Sequence, residues 1–423
     1  MIPEHPSPAI SPSFELSGPL PPDVHFSLQI RSWPIADADL DPDALKVVRR
    51  LLRFGHETYF VGGCIRDLLL GRHPKDFDVA TAARPQEVKK LFRNCRLIGR
   101  RFRLAHLHFR DGKIIETATF RREPNETDDL TVAHAAENLF GAAADDAIRR
   151  DFTVNALMYD VTGQRILDWT GGLADIEDRV LRAIGDPHRR IPEDPVRIIR
   201  AVKFAARLNL TIEPSLLEAC RTHVALLDTC ATARMVEEMF KILRSGFAVP
   251  CLEMLREVGV LSRMLPAFAA IPEGGPDPFE GLRRTDRLIS DGRSLSDTLL
   301  LAALFYPLCA DLVNVDGDVA KDINERLDQL AAPMQFTKRH MGTLKSIFAS
   351  LKRIAGGPRT KRMKKVLHRD YAGDAIALLE LMDGAPAGVI AAWKKAMREL
   401  PGRPAGAGTA DRHSTATLPV DAP

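Results

Sequence analysis

Residues 59–81 read YFVGGCIRDLLLGRHPKDFDVAT, and they predict a strand, a glycine turn, a helix and a second strand. The apolar run 59–61 is typical of a strand, and it stops at Gly62 and Gly63. Apolar residues at helical spacing follow, so the glycines lie at a strand-to-helix turn. Glycine lets a backbone approach a ligand closely, and the amides of a helix N-terminus favour an anion such as phosphate. Arg66, one turn into this helix, adds a guanidinium that can hold phosphate oxygens through two parallel bonds.

Asp76 and Asp78 predict a cation site beside the glycine turn. Because strand side chains alternate, the two carboxylates point the same way, while Phe77 and Val79 point into a core. An isolated Asp-x-Asp is most often a solvated turn, but two carboxylates facing a phosphate-binding turn repel each other unless a cation lies between them. Their oxygens suit Mg²⁺, which suggests metal-assisted phosphoryl or nucleotidyl transfer. The P-loop pattern and the GxGxxG turn are both absent from the sequence, which excludes a P-loop NTPase.

The length and composition indicate a globular protein with several structural units. The 423 residues exceed what one hydrophobic core usually serves, so two or three units are expected. No apolar run approaches the ~20 residues of a membrane span, and the Pro- and Ser-rich N-terminus lacks the order of a signal peptide. Six cysteines without a CxxC pair indicate reduced thiols without zinc or disulfides, and therefore a cytoplasmic protein.

Glu116 is a candidate third carboxylate. Strand-like runs are predicted at residues 96–98, 102–109 and 113–120, and the last of them carries Glu116 among apolar and β-branched neighbours. By itself, Glu116 would be a solvent-facing strand glutamate. Because the two aspartates lack a third partner, we prefer Glu116 as a metal ligand or as a residue that supports the ligands.

The segment RRDFTVNAL, residues 149–157, allows two interpretations. In the structural one, Asp151 caps a helix whose apolar residues follow at helical spacing. In the functional one, Arg149 and Arg150 bind a triphosphate, and Asp151 or Asn155 contacts the ribose hydroxyls. The residues alone favour neither interpretation.

The segment EDPVRIIR predicts a helix with Asp194 as its cap and Pro195 at its first position. Glu193, Asp194, Arg197 and Arg200 are three or four residues apart, so they lie close together on one helix face. The plain interpretation is a capped helix with a surface ion pair that contributes little to stability. In the alternative, Asp194 and Arg197 present an acceptor and a fork of donors to the edge of a nucleotide base.

From there to about residue 400, every strongly periodic segment is helical, and one part of this region is strongly basic. Residues 338–369 contain eleven Lys or Arg and no Asp or Glu. A charge run is usually a solvated face, but a run this long without acids fits contact with a phosphate backbone. The predicted RNA contacts are Lys338, Arg339, Lys352, Arg353, Arg359, Lys361, Arg362, Lys364 and Lys365.

Together, these motifs resemble the class II tRNA nucleotidyltransferase/poly(A) polymerase family of the polymerase-β nucleotidyltransferase superfamily. The resemblance covers about residues 41–265, with a weaker helical likeness to about 400. It rests on GGCIRDLLLG with DFD, on ETATFR, on RRDFTVNAL and on EDPVRIIRA, in the family order. Residues 91–106 resemble the block that marks the bacterial poly(A) polymerases within this family, as does the segment 137–141.

The resemblance implies a role for each matching residue. Asp76 and Asp78 would bind two Mg²⁺ ions, with Glu116 as the third carboxylate, and Asp151 would contact the ribose. The triphosphate would be held by Gly62, Gly63 and Arg66. The base would face Asp194 and Arg197, oriented by Glu193 and Arg200. Two departures are Cys64, where the family often has Gly or a small residue, and a C-terminal tail without the dense Arg cluster of some poly(A) polymerases.

The resemblance also implies a fold and a reaction. We expect an α+β fold, in which a polymerase-β-like head with a mainly antiparallel sheet precedes an all-helical neck and body. The expected parts are a disordered extension (1–36), the catalytic head (37–185), the neck (186–265), the RNA-binding body (266–400) and a disordered tail (401–423). The expected reaction transfers AMP from ATP to the 3′ ends of RNA, either mRNA, small RNA or tRNA.

Two alternatives remain at this point. A CCA-adding tRNA nucleotidyltransferase would use the same chemistry with CTP and ATP. A non-catalytic RNA-binding protein could have kept the fold. The sequence does not give the primer preference, the processivity, the protein partners or the oligomeric state.

Overall fold

The computed structural model describes residues 27–99, 104–123, 139–271, 277–313, 320–358 and 365–399. The chain divides into two compact units. The first consists of Met1–Asp194 and Leu210–Ala219, and the second of Pro195–Asn209 and Cys220–Pro423. The chain therefore enters the second unit, returns to the first for ten residues and leaves it again, which differs from the predicted order of head, neck and body.

An eight-stranded sheet organises the first unit, in the order β1-β8-β7-β2-β3-β6-β5-β4. Only β3 and β6 run parallel, and the other neighbouring strands of this sheet are antiparallel. The mainly antiparallel sheet that the sequence predicted is therefore confirmed. The strands are β1 (Gln29–Ser32), β2 (Thr58–Val61), β3 (Asp78–Thr81), β4 (Cys95–Ile98), β5 (Leu104–His108), β6 (Ile114–Thr119), β7 (Met158–Asp160) and β8 (Arg165–Asp168).

Several helices of the first unit pack apolar residues onto this sheet. In the first of them, the Asp41 side chain accepts hydrogen bonds from the amides of Asp43 and Ala44, which satisfies two of the unpaired donors at a helix start. Val48 and Leu51 of the same helix are fully buried. The helices are α1 (Pro42–Arg53), α2 (Gly63–Leu69), α3 (Pro85–Leu91), α4 (Ala143–Ile148), α5 (Gly172–Glu177) and α6 (Pro187–Glu193).

Helices dominate the rest of the chain, as predicted. Their inward faces bury leucine, isoleucine and phenylalanine side chains. They are α7 (Arg197–Leu208), α8 (Pro214–Thr222), α9 (Thr232–Leu243), α10 (Ala248–Glu257), α11 (Leu261–Met264), α12 (Pro266–Ala269), α13 (Glu280–Ser290), α14 (Asp297–Phe305), α15 (Ala310–Val313), α16 (Ala320–Ala331), α17 (Lys338–Ala355), α18 (Ala372–Leu381) and α19 (Ala387–Arg398). None of the helices in the described ranges is long and apolar enough to span a membrane.

One short strand departs from the all-helical prediction. Strand β10 (Thr211–Ile212) pairs in parallel with β9 (Val180–Leu181). The Thr211 amide donates to the Arg179 carbonyl at 2.8 Å, and the Glu213 amide donates to the Leu181 carbonyl at 3.0 Å. A two-residue strand has no period to recognise, and its partner lies 31 residues away along the chain, so local sequence does not reveal it.

The predicted extension at residues 1–36 requires a correction in its last part. Residues 29–32 form strand β1, which pairs antiparallel with β8 at the edge of the sheet. All four of its residues are exposed, so the strand is held in the sheet by backbone hydrogen bonds. Its sequence lacks the apolar alternation that would have predicted a strand. Residues 1–26 and 401–423, where the remaining extension and the tail were predicted, lie outside the described residues.

Candidate active site

Asp76 and Asp78 lie where the alternation of an extended chain predicted. Asp78 opens strand β3, and both carboxylates are exposed, whereas Phe77 and Val79 between and after them are buried. The Phe77 ring contacts the Phe60 ring edge-on, with 5.5 Å between centroids. This packing fixes the backbone of the Asp-Phe-Asp segment and turns both carboxylates away from the core.

Glu116 lies beside Asp78 on the neighbouring strand. Val79 of β3 is in register with Thr117 of β6, so the parallel pairing aligns the two residues that precede them, Asp78 and Glu116. Glu116 is exposed, and its neighbours Ile115 and Thr117 are buried on the other face. The prediction of a third carboxylate on a strand next to the aspartates agrees with this arrangement.

The electrostatics of these carboxylates indicate a deficit of positive charge. Desolvation and the charges of Glu116 and Asp76 together raise the pKa of Asp78 to about 6, against the opposing charge of Arg150. Desolvation and the charge of Asp76 raise the pKa of Glu116 as well. A bound cation would favour the ionised form of each group.

The carboxylates meet part of what a divalent cation requires. They provide accessible oxygen donors only, which suits Mg²⁺. However, within the described residues, His, Cys, Asp and Glu side chains form no group of three or more that is close enough to hold a metal ion. The carboxylates thus have donor atoms and charge that suit a divalent cation, but among the described residues their side chains do not converge on one point.

The glycine turn next to β3 depends on Gly62. This residue has φ +72°, and a Cβ atom there would stand 2.9 Å from Nη1 of Arg150 and 3.3 Å from the Asn155 carbonyl oxygen. Both the left-handed backbone and the close approach require glycine. A Cβ at Gly63 would meet Nη2 of Arg66 at 3.5 Å, which is ordinary contact.

Arg66 is buried and engaged within the protein, with only 3% of its surface exposed. Its Nε and Nη2 donate to Oδ1 of Asp67 at 2.8 and 2.6 Å, and its Nη1 donates to Oδ1 of Asn155 at 2.5 Å. Direct contact with a triphosphate stays a prediction for Arg66. In this structure it connects helix α2 to the segment that contains Asn155.

The structural interpretation of residues 149–157, a helix capped by Asp151, is wrong. A 3₁₀ turn at Thr153–Asn155 leads directly into strand β7, which leaves no room for a helix. The Asp151 carboxylate instead accepts from the Phe152 amide at 2.9 Å and from Nδ2 of Asn155 at 3.1 Å. The strand pairing of β7 in the centre of the sheet overrides the local cap signal.

Arg149 and Arg150 lie at the end of α4, close to an acidic residue that the sequence analysis did not single out. Nη2 of Arg150 donates to Asp146 at 2.9 Å and its Nη1 donates to the Asn155 carbonyl at 3.2 Å. Nη1 of Arg149 is 4.0 Å from Asp146. Spacing of three and four residues on a helix could have indicated this group.

Arg190 is a second residue that sequence reasoning missed. Its Nη2 donates to the carbonyl oxygens of Arg149 and Arg150, at 2.9 and 3.2 Å. Its Nη1 is 2.9 Å from Glu193. Arg190 therefore supports the backbone of the paired arginines from 40 residues away in the chain, which no local motif indicates.

The predicted helix start at Asp194 requires a correction. Asp194 is the C-cap of α6, and α7 begins at Arg197 with Val196 as its N-cap. Glu193 and Asp194 belong to the first unit, and Arg197 and Arg200 to the second. That these four residues face one base stays a prediction.

Helix α17 carries the described part of the basic run. Lys338, Arg339, Lys352 and Arg353 are exposed on it, and Lys365 is exposed in the turn before α18. Lys345, on the same helix, pairs with Asp328 at 2.6 Å. The predicted contacts that lie outside the described residues are Arg359, Lys361, Arg362 and Lys364.

Comparison with known proteins assigns the motifs to a family. Residues 58–182 match a family model described as the poly A polymerase head domain, and residues 209–271 match one described as the probable RNA and SrmB-binding site of polymerase A. Poly(A) polymerase I from Salmonella typhi is 39% identical over 371 residues, which cover 82% of this chain and 79% of that protein. A CCA-adding enzyme from Levilactobacillus brevis is 40% identical over 201 residues, which cover 47% and 49%.

A solved structure supports the same assignment. The Bacillus stearothermophilus CCA-adding enzyme in complex with CTP matches with a TM-score of 0.58 and 26% identity, over 84% of this chain and 81% of that one. This likeness confirms the predicted fold class. The chain belongs to the family of nucleotidyltransferases that contains the bacterial poly(A) polymerases and the CCA-adding enzymes.

Proposed function

We propose that this protein extends RNA 3′ ends with adenylate from ATP and releases pyrophosphate. The observation that carries nucleotidyl transfer is the alignment of Asp78 and Glu116 on neighbouring strands, beside the Gly62 turn. The choice of adenylate is supported by the likeness to poly(A) polymerase I over 82% of the chain, against 47% for the CCA-adding enzyme. Substrates of this kind are the 3′ ends of mRNA, small RNA and tRNA.

In this proposal, the ionised carboxylates of Asp76, Asp78 and Glu116 would hold divalent cations. When bound, these cations, proposed to be two Mg²⁺ ions, would lower the pKa of the RNA 3′-hydroxyl and neutralise charge on the leaving pyrophosphate. The protein itself contributes positioning and fixed charge, which account for most of the rate of phosphoryl transfer.

The nucleotide would be held by the turn and by the arginine pair. Gly62 and Gly63 bring the backbone close to the phosphates, and Arg149 and Arg150 provide cationic donors. The carboxylate of Asp151 and the amide of Asn155, which hydrogen-bond to each other, would receive the ribose hydroxyls. Arg66 would orient Asn155 through the bond described above.

Base selection and RNA binding would involve the remaining predicted residues. We propose that Asp194 and Arg197 select the base and that Glu193 and Arg200 orient them. The exposed lysines and arginines of α17 would contact the RNA backbone. A cytoplasmic location suits such an enzyme and agrees with six free cysteines, five of them buried.

A CCA-adding activity is the second candidate, because CCA-adding enzymes are relatives in sequence and structure. The deciding experiment offers the protein Mg²⁺ and each NTP separately, with an unstructured RNA and with a tRNA that lacks its terminal CCA. A long ladder on the RNA with ATP alone supports polyadenylation. Addition of C, C and A to the tRNA, with no long product, contradicts it.

The non-catalytic alternative is tested with the same assay. We expect Asp76→Ala and Asp78→Ala each to reduce incorporation by at least about a thousandfold, since several kcal/mol of charge stabilisation would be lost. Turnover by either folded variant at the wild-type rate would contradict the assigned roles. Absence of Mg²⁺-dependent pyrophosphate release from the wild type would favour a binding protein.

A further inference from the structure

Strands β4, β5 and β6 carry a row of polar side chains that leads to the carboxylates. Arg96 of β4 is in register with His106 of β5, and His106 is in register with Glu116 of β6. The parallel pairing of β6 with β3 extends the row to Asp78. Because neighbouring strands are about 4.8 Å apart, Arg96 lies about 14 Å from Asp78 across the sheet. The row is basic at its outer end and acidic at its inner end.

Apolar residues flank this row on the same face. Ile98 of β4 and Ile114 of β6 are each 39% exposed, and they make up two of the four large hydrophobic side chains that are exposed in the described residues. The alternate residues of these strands, such as Leu107 and Ile115, are buried on the opposite face. One face of the three strands is thus open, and it carries polar, charged and apolar side chains together.

Two histidines occupy the middle of the face. The His106 and His108 rings are tilted by 53°, with 6.5 Å between centroids. Nε2 of His106 is 3.7 Å from Oε1 of Glu116, so the rings lie directly beside the acidic end of the row. Nε2 of His108 is buried, without a hydrogen-bond partner among the described residues. Imidazole rings beside an arginine are groups on which unstacked RNA bases stack.

We infer that this face of β4, β5 and β6, defined by Arg96, Ile98, His106, His108 and Ile114, binds the last nucleotides of the RNA. The inference rests on the proposed function and names where the primer end lies. The terminal 3′-hydroxyl carries no phosphate, so it suits the acidic end of the row. The preceding phosphates suit Arg96, which forms no hydrogen bond or ion pair with the rest of the described chain.

Equilibrium binding of a short RNA tests the inference without turnover. The fluorescence anisotropy of a 5′-labelled adenylate oligonucleotide of about five residues is measured with the full chain. We expect Arg96→Glu and His108→Ala each to weaken binding about tenfold or more. The matched control is Arg110→Glu, an equal charge change at an exposed position in the turn between β5 and β6. It should leave the affinity within twofold.

The polarity of the RNA is tested with a 3′-phosphate on the same oligonucleotide. This charge would be brought against Asp78 and Glu116, so we expect it to weaken binding to the wild type about tenfold. Circular dichroism and the Tm of each variant verify that its fold is retained, as expected for the exposed Arg96.

Kinetics separate this inference from the proposed function. We expect Arg96→Glu to raise the KM for the primer about tenfold and to leave the KM for ATP unchanged. If the wild type incorporates no nucleotide, the proposed function fails, while the binding experiment still decides the surface. Affinities within twofold of the wild type for both variants overturn the inference and assign the face to another partner, such as a protein.

Discussion

At the scale of single residues, Asp78 combines a functional role with a cost to stability. Its pKa of about 6 means that the folded protein holds the ionised carboxylate less favourably than the unfolded chain does. A site of this kind is strained in the absence of its ligand, since the negative charges are placed for the ligand and not for the fold.

We therefore expect Asp78→Asn to abolish incorporation and yet to stabilise the metal-free protein. Because the carboxylate is exposed and partly screened, the gain in the free energy of unfolding is about 1 kcal/mol. The gain has its full size above about pH 6, declines as the pH falls from about 6 to 3.8, and is absent below 3.8, where the carboxylate of the wild type is protonated in both states.

Urea unfolding in EDTA at pH 7.5 and at pH 3.5 measures this difference. Mg²⁺ should then stabilise the wild type more than the variant, because binding to the folded state alone raises its stability. A variant that is less stable than the wild type at both pH values would contradict the electrostatic explanation.

Gly62 provides a second prediction, with a matched control in the same motif. Gly62→Ala would force a Cβ against Arg150 and would strain a left-handed backbone, whereas Gly71, with φ +70°, has no atom within 4 Å of a built Cβ. Both substitutions strain a backbone with positive φ, at a cost of at least about 1–2 kcal/mol. The cost is larger at Gly62, whose ψ of −119° lies outside the left-handed helical region, and only Gly62→Ala also displaces Arg150.

Steady-state kinetics and thermal unfolding distinguish the two variants. We expect Gly62→Ala to raise the KM for ATP about tenfold or more, and Gly71→Ala to lower the Tm without changing that KM. Equal kinetic effects at both positions would show that the close approach to Arg150 is irrelevant.

Sequence reasoning succeeded for residues whose orientation follows from a short repeat. Alternation along one strand was enough to place Asp76 and Asp78 on one side and Phe77 on the other. Arg66 and Arg190 were different, because the sequence shows their charge but not the buried acceptors that engage them. Such acceptors come from distant parts of the chain and are visible only after folding.

At the scale of elements, the boundary between α6 and α7 shows why helix ends are hard to predict. Two of the four Asp-Pro pairs in the chain lie near this boundary, at 186–187 and at 194–195, and both carry the signal of a helix start. Asp186 is the one that caps, since its side chain accepts from the His188 amide at 2.9 Å. The second pair ends a helix instead. Tertiary context decides between identical local signals.

Helix α7 is fixed to α9 by a buried ion pair, which is the basis of a third prediction. The side chains of Lys203 and Glu238 are 10% and 6% exposed and are hydrogen-bonded to each other. Glu238→Ala would leave a buried ammonium without its main partner, which costs about 3–5 kcal/mol of the free energy of unfolding.

The adjacent residue provides the control for that substitution. Glu237 is 68% exposed and lies 3.5 Å from Lys241. We expect Glu237→Ala to change the free energy of unfolding by less than about 0.5 kcal/mol. Chemical denaturation of both variants measures the difference, and similar values for the two would contradict the assigned role of the buried pair.

Helix α17 provides a fourth prediction, which concerns RNA affinity. The double variant Lys338→Glu, Arg339→Glu places acidic residues in the first turn, where the helix dipole favours them, so the helix itself should not be weakened. We expect weaker binding of a long RNA and a salt dependence reduced by about one unit of slope per lost phosphate contact.

The control for α17 is Lys321→Glu on α16, which is 83% exposed and lies outside the basic run. Titrations at several salt concentrations compare the two proteins. If the slope for the α17 variant equals that of the wild type, the basic run does not contact the RNA backbone.

At the scale of the whole molecule, the sequence predicted the order of the strand-rich and helical parts along the chain better than it predicted the division of the chain into two units. Periodicity predicted individual strands in the first part and helices in the second, and the family resemblance implied their assembly into a mainly antiparallel sheet and a helical part. The pairing of β1 with β8 and of β9 with β10 was not, because each pair joins segments that are far apart in sequence. Long-range pairing depends on the whole sheet and leaves little trace in short windows.

The short strand β10 has a consequence for any attempt to divide this protein. Residues 211–213 form hydrogen bonds with β9. The residues that follow β9 form hydrogen bonds with the segment that contains Arg149 and Arg150: the Thr153 amide donates to the Arg182 carbonyl, and the Ile184 amide donates to the Asp151 carbonyl. Helix α7 lies in the chain between these two strands. The ribosome must therefore synthesise all of α7 before the first unit can fold completely. No single division of the gene yields two fragments that each contain one complete unit.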